Sequence, residues 1–265
     1  MIQIKLEHVQ RLVQIESEVH YNEAPPPGKE PFIVVRRDSP VLLSAPHGAR
    51  TWRNSKKERW HEEDEYTAGM ALLLSELCGT SVIATTQRID DYDPNWRQSC
   101  AYKDAIADLI REANIRFVID LHGAALHSAT LDPAQTIDLG FRSEQEDERS
   151  MEERHIVGLE GYLQVKDNSC DPFCFIVGRN RFAAKRSRTV TTFVHEKFGR
   201  GTQYQVQSIQ IELKPQVRVA HRFPTATLYK SSGPYDADPN CIVYLLQALS
   251  NFIAYLKNTV ERRNK

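Results

Sequence analysis

The stretch Phe117-Val118-Ile119-Asp120-Leu121-His122-Gly123 decides how this chain is read. It is an apolar run of strand length that ends on a histidine followed by glycine. A second stretch, Val41-Leu42-Leu43-Ser44-Ala45-Pro46-His47-Gly48, repeats the pattern. Open α/β sheets place their chemistry beyond the carboxyl ends of their strands. Histidine is the commonest metal ligand and the usual proton carrier near neutral pH, and glycine lets the backbone turn closely beside a metal or substrate. The acidic cluster Glu62-Glu63-Asp64-Glu65 lies between the two stretches. Two imidazoles and one of these carboxylates make a three-ligand metal site, the usual number for catalytic zinc with an open fourth position. Some of the four acids also suit a helix N-terminus, where carboxylates complement the dipole.

Working outward, residues 117–121 suit a central strand covered on both faces. Residues 5–20 read as an amphipathic helix and residues 22–28, with Pro25-Pro26-Pro27, as an extended linker. Residues 32–36 and 41–45 read as a hairpin turning at Asp38-Ser39-Pro40. A helix is expected over 66–78, ended by Gly79, then a strand over 81–86, a helix over 100–114 and the strand at 117–121. Further strands are expected at 137–141, 173–177 and 206–213. Helices are expected from Ser143, with Glu146 completing a capping box, to about residue 160, over 190–198, and over 236–260. Alternating strands and helices imply βαβ units and parallel pairing. The expected fold is therefore a three-layer α/β sandwich on a central mixed, largely parallel sheet. One domain is expected over residues 1–265, with 1–28 as an N-terminal helix and proline-rich linker. The segments 124–136 and 178–188 are expected to be active-site loops.

Composition narrows the function classes. The 265 residues carry 34 Lys+Arg against 35 Asp+Glu, a formal charge of −1, which argues against a nucleic-acid partner. Five scattered cysteines give no disulfide framework, and the four-residue spacing of Cys170 and Cys174 lacks a second zinc-finger pair. Reduced thiols and the lack of a signal-peptide pattern lead us to expect a cytoplasmic protein. No run of about 18 apolar residues is evident, so no membrane partner is expected.

Three further features could carry chemistry. Asp120 precedes His122 by two residues and shares its strand face, so it can orient that ring. Glu212 closes the apolar run Ile209-Gln210-Ile211, and a buried glutamate there is costly without a task or a partner. Beside an activated water it would serve as general base and then as proton donor; the alternative is an ion pair with Lys214 or an arginine. In Asp93-Pro94-Asn95-Trp96-Arg97, asparagine could orient an acyl group and arginine could fork onto a carboxylate, although the same residues make an ordinary turn. Arg179 and Arg181 are competing carboxylate anchors.

In order and spacing, these features resemble the N-formylglutamate amidohydrolase family, related to zinc carboxypeptidases and aspartoacylase. The resemblance runs over about residues 41–215. It rests on Pro46-His47-Gly48, on Asp64 or Glu63, on Arg88 through Arg97, on Asp120-Leu121-His122 and on Ile209-Gln210-Ile211-Glu212. The family's adjacent Asn-Arg is here Asn95-Trp96-Arg97, its Pro-His-Ser-Gly is shortened, and Leu213-Lys214 replaces its arginine after the glutamate. The resemblance implies a hydrolase-like mixed α/β fold, one zinc ion and cleavage of an N-acyl amide. His47, Asp64 and His122 would hold the metal, Glu212 would be catalytic, and Asn95, Arg97 or Arg179 would bind substrate. The expected substrate is a small N-acyl amino acid. The alternatives are a metallopeptidase-like hydrolase of peptide or cell-wall fragments, which needs a larger pocket around His47, and a metal-free binding protein.

Overall fold

The computed structural model describes residues 2–53, 59–126, 128, 130–132, 134–164, 175–186, 188–229 and 233–263. Nine strands are named in chain order: β1 (Phe32–Val35), β2 (Val41–Ala45), β3 (Thr51–Arg53), β4 (Arg59–His61), β5 (Ser81–Thr85), β6 (Phe117–Gly123), β7 (Ile137–Gly140), β8 (Val177–Arg179) and β9 (Gln207–Leu213). The helices are α1 (Leu6–Ser17), α2 (Thr67–Cys78), α3 (Ala101–Glu112), α4 (Glu153–Leu163), α5 (Val190–Phe198), the short α6 (Pro215–Arg218) and α7 (Pro239–Arg263). Seven strands form one sheet in the order β1-β5-β2-β6-β9-β7-β8, while β3 and β4 pair apart. The run β5-β2-β6-β9 is parallel, and β1 and β7 join it antiparallel.

Each central strand divides its side chains between two apolar layers. Val41, Leu43, Ile119, Leu121, Ile209 and Ile211 pack with α1, α2, α4 and α7. Leu42, Ile83 and Val118 pack with α3 and α5 on the opposite face. On that second face the period-2 pattern turns polar toward the carboxyl ends of the strands, giving Ser44 on β2, Asp120 and His122 on β6, and Gln210 and Glu212 on β9. A mixed α/β sandwich thus delivers its polar residues to one end of the sheet.

Three expectations are corrected. β1 and β2 are not a hairpin, because β5 lies between them. β2 is buried along its whole length and needs a partner on each edge, so β5 and β6 flank it while the half-exposed β1 takes the rim. No helix starts at Ser143. Its hydroxyl accepts from Gln145 N, Ser150 N bonds to Phe141 O, and these local bonds hold turns until α4 begins at Glu153. The strand expected at 173–177 is displaced: β8 runs Val177–Arg179 and shares only Val177 with it, 175 and 176 are not strand, and residues 173 and 174, with the Cys170–Cys174 spacing, lie outside the described residues. By length and composition α7 reaches the scale of a membrane span, with a mean hydropathy of 1.2 in its most apolar window. Of that window, 56% is buried against the protein, where α7 packs on α1, α2 and α4.

The start of α2 fixes the site geometrically. Its N-cap, Tyr66, has φ 68° and makes no side-chain cap. Glu16 from α1 supplies one in trans: its carboxylate accepts from Tyr66 N at 2.6 Å, Gly69 N at 2.9 Å and Tyr21 Oη at 2.5 Å. Gly48 lets the chain after His47 pass against this same helix. A Cβ there would lie 2.4 Å from both Ala68 Cβ and Thr85 O.

Gly48→Ala should therefore lower the unfolding free energy by about 1–3 kcal/mol, measured by denaturant titration. Burial raises the Glu16 pKa to about 7 despite the donors facing it. An acid whose folded pKa exceeds its unfolded value holds its proton more tightly when folded. Its contribution is complete below about pH 4.5 and is lost as pH rises through about 7. Relative to Glu16→Gln, the wild-type protein should lose up to about 3 kcal/mol between those pH values. A parallel pH dependence in both proteins would reject this assignment.

Candidate metal centre

His47 follows β2, His122 lies near the end of β6, and Asp64 sits in the turn that opens α2. Parallel pairing of β2 with β6 sets the two histidines side by side. The backbone N–H of Asp64 donates to His47 O at 2.7 Å, and Thr67 N and Oγ1 both return to Asp64 O. This ties the acidic turn to the strand end. The imidazole centroids are 5.0 Å apart. Asp64 Oδ2 lies 3.5 Å from His47 Nδ1 and 3.4 Å from His122 Nδ1, and all three side chains are buried. Among the described residues, these donors form a group within 4.8 Å of one another that could hold a metal ion.

The donor set fits a divalent cation. A tetrahedral ion at about 2.0–2.1 Å from N and O ligands separates neighbouring donors by roughly 3.3–3.4 Å. Outward contacts orient both rings. His47 Nε2 bonds to Asp93 Oδ1 at 2.8 Å, and His122 Nε2 bonds to Asp120 Oδ2 at 3.0 Å. With Nε2–H given to a carboxylate, each Nδ1 lone pair is left facing Asp64. The carboxylates are held in turn: Asp93 accepts from Arg53 Nε at 2.7 Å, and Asp120 from Ser44 Oγ at 2.7 Å. The electrostatics agree. Burial opposes a charged His47, but Asp93 and Asp64 outweigh it and raise its pKa; Asp120 and Asp64 do the same, more strongly, for His122. Burial opposes ionisation of Asp64, but hydrogen bonds to His122 and His47 hold its pKa well below the carboxylate range. The pocket stabilises positive charge between these three groups, where a cation would sit.

The other acids of the cluster point elsewhere. Glu63 accepts from Thr227 N and Oγ1, and Glu65 makes a buried pair with Arg222 at 2.9 Å. Glu212 is paired in register with His122, and its Oε1 accepts from Gln210 Nε2 at 2.7 Å. Burial raises its pKa to about 7, with the charge of His122 opposing and that of Asp64 reinforcing the rise.

The expected substrate-binding residues are placed differently. Asn95 is anchored by its Oδ1, which accepts from Val190 N at 2.8 Å, while its Nδ2 lies 3.0 Å from His122 Nε2, the nitrogen whose proton is directed at Asp120. Asn95 thus packs beside a histidine of the site and borders the cavity. Arg97 is exposed and directed at Asp91 O, because the chain turns at Asp93 and presents Trp96 to the cavity instead. Arg179, on the far strand β8, is bound by Glu153 and Glu160 and does not line the cavity. Sequence reading missed Asp93 as the partner of His47, although its short Asp-Pro-Asn turn was conspicuous. It also missed His61, whose ring stacks on His47 at 4.1 Å, and Arg218. Arg218 is buried, its Nε donates to Leu213 O at 3.0 Å and its Nη1 to Glu65 O. A Cβ on Gly123 would lie 2.6 Å from Arg218 Nη2, so the glycine after His122 makes room for this guanidinium. The only local cue was Pro215, which opens the short helix α6 and brings Arg218 back over the strand ends.

No protein-family profile matches the sequence, and no curated protein is recognisably similar to it. Solved structures do match in shape. An N-formylglutamate amidohydrolase from Ralstonia eutropha JMP134 superposes with a TM-score of 0.56 at 14% identity, covering 88% of this chain and 98% of that one. A gene product of Agrobacterium tumefaciens gives a TM-score of 0.56 at 12% identity, over 88% and 97% of the two chains. The molecule thus has a mixed, mostly parallel α/β sheet flanked by helices, the architecture also found in that amidohydrolase. At such identities the likeness is one of fold.

Removing the outer carboxylates should weaken metal binding while leaving the ligands in place. Asp93→Asn and Asp120→Asn are each expected to lower zinc affinity by about 10–100-fold in competition with a chromogenic chelator. Unchanged affinity in both would show that the histidines are oriented without them.

Proposed function

We propose that this protein is a zinc-dependent amidohydrolase that cleaves a small N-acyl amino acid resembling N-formylglutamate. One observation carries the reading: a single carboxylate oxygen, Asp64 Oδ2, lies 3.5 and 3.4 Å from two imidazole nitrogens at paired strand ends. The fold shared with a solved N-formylglutamate amidohydrolase supports it. His47, Asp64 and His122 would hold the ion. When bound, zinc acidifies water and polarises an acyl oxygen. Glu212 takes the proton of the attacking water and passes it to the leaving nitrogen. Burial pushes its pKa up, which favours holding the proton between the two transfers, and Gln210 fixes one of its oxygens so that the other is left for the proton. Arg218, with Nε and Nη1 held by backbone carbonyls, presents fixed positive charge to the acyl oxygen or to a substrate carboxylate.

The peptide-directed alternative has one observation in its favour. The cavity over the site is about 900 Å³, near the top of the roughly 300–1,000 Å³ range of pockets for drug-sized ligands. The chemistry at Glu212 is the same for either substrate.

Zinc should copurify with the protein in elemental analysis and leave on dialysis against a chelator, with loss of N-formylglutamate hydrolysis. Glu212→Gln should lower turnover by about 10²–10⁴-fold at unchanged zinc content. Protein free of metal and inactive after zinc addition would leave the binding-protein reading standing; full activity in Glu212→Gln would place the base elsewhere.

A further inference from the structure

The cavity is far from uniform in charge. Its buried floor holds the acids Glu63, Asp64 and Glu212 beside Arg218, while its exposed walls carry the cations Arg59, Arg181, Lys185 and Arg186 against one acid, Glu62. None of these four wall cations makes an ion pair with a carboxylate among the described residues. Elsewhere Arg142, Arg149, Arg179 and Arg200 all have such partners. Arg181 lies in the field of Asp138, whose oxygens accept from Gln135 Nε2 and Phe182 N. The guanidinium of Arg186 lies over the Trp96 ring at 5.3 Å, and that of Arg53 lies over the same indole at 4.9 Å.

The segment that carries three of these cations is anchored. Phe182 N donates to Asp138 Oδ2 at 2.8 Å, and Gly140 allows Phe182 O to approach the sheet so closely that a Cβ would lie 2.2 Å away. Thr189 and Thr192 hydroxyls both donate to Ala184 O. The cations are thus presented from fixed backbone. A second feature of the same cavity asks for a different group. Gln210 is buried on its lining, and its amide oxygen has no hydrogen-bond partner although its nitrogen binds Glu212. A buried amide oxygen left unmatched is costly, and a donor from the cavity occupant would remove that cost.

We propose that the wall formed by Arg181, Lys185 and Arg186 is an extended subsite for an acidic oligopeptide, whose successive carboxylates these side chains receive. A backbone N–H of the same ligand would donate to Gln210 Oε1. A single N-acyl amino acid offers too few carboxylates to engage both Arg218 on the floor and three cations on the wall, whereas consecutive acidic residues offer several. The choice of a peptide over another polyanion rests on the amidohydrolase reading, because the occupant must carry an amide; the subsite itself does not depend on turnover.

Binding can be followed separately from hydrolysis, because Trp60 and Trp96 line the cavity and Trp52 packs on Trp60 at 5.1 Å. These are the chain's three tryptophans, so intrinsic fluorescence reports on this region. In titrations of the full-length protein, hexaglutamate should bind at least about tenfold more tightly than N-formylglutamate and weaken as salt is raised. The triple variant Arg181→Gln/Lys185→Gln/Arg186→Gln should lose roughly fivefold to hundredfold in hexaglutamate affinity. It should keep its thermal midpoint, and the double variant Lys185→Gln/Arg186→Gln should in addition keep its affinity for N-formylglutamate. Arg181→Lys/Arg186→Lys should retain most of the binding. The proposal is overturned if hexaglutamate binds no better than N-formylglutamate, if the triple variant binds it as well as wild type, or if an RNA hexamer binds more tightly than the peptide. Tight, charge-dependent binding without cleavage would keep the subsite and reject the hydrolase reading. Cleavage of N-formylglutamate without preferential peptide binding would do the reverse.

Discussion

The carboxylate of Asp64, buried between two imidazole nitrogens, is the contact on which the rest of the site depends. Three polar groups out of water are expensive unless each is matched. Asp93 and Asp120 match the outer nitrogens, and these acids are matched in turn by Arg53 and Ser44. The inner edge, where three donors meet, is complete with positive charge and costly without it. The raised histidine pKa values and the depressed value for Asp64 express the same demand.

Backbone placement makes that contact possible. Parallel pairing of β2 and β6 brings the histidines together, but Asp64 arrives from a turn whose position is set by α2. Helix α2 is capped by Glu16 from the first helix and tied back through Asp64 O, so packing of α1 on α2 reaches the candidate metal ligands through a chain of buried hydrogen bonds. Gly48 and Gly123 belong to the same construction. Each stands where another group, α2 in one case and Arg218 in the other, occupies the space of a side chain.

Charge is sorted by depth in the cavity. The floor concentrates acids around the candidate metal ligands, with Arg218 and the neutral His61 beside them; burial and the charge of His47 lower the His61 pKa to about 3. The exposed walls carry four cations that make no ion pair with a carboxylate among the described residues, and one acid, Glu62. Acids predominate at the buried floor and cations at the exposed walls, and a chain with a formal charge of only −1 hides this sorting in its total.

The sequence by itself determined the central strands, the helices that cover them and the residues at the strand ends. Local periodicity and the order of His47, the acidic cluster, His122 and Glu212 carry that information. It left open which acid faces the histidines, because Glu63, Asp64 and Glu65 are adjacent and chemically alike; only contacts with Thr227 and Arg222, far along the chain, divert the other two. The hairpin expected from β1 and β2 failed for a related reason, since the pairing of a fully buried strand is decided by which neighbours can cover both its edges. The arginines were the least legible. Arg97 and Arg179 stand in conspicuous local sequence yet face Asp91 and the glutamates of α4, whereas Arg218 reaches the floor through a short helix that no periodicity announces. A long, flexible cation is positioned by whatever carboxylates and carbonyls the tertiary fold brings within reach. Its role was therefore decided by the assembled structure, while the strand-end histidines were already committed by the strands that carry them.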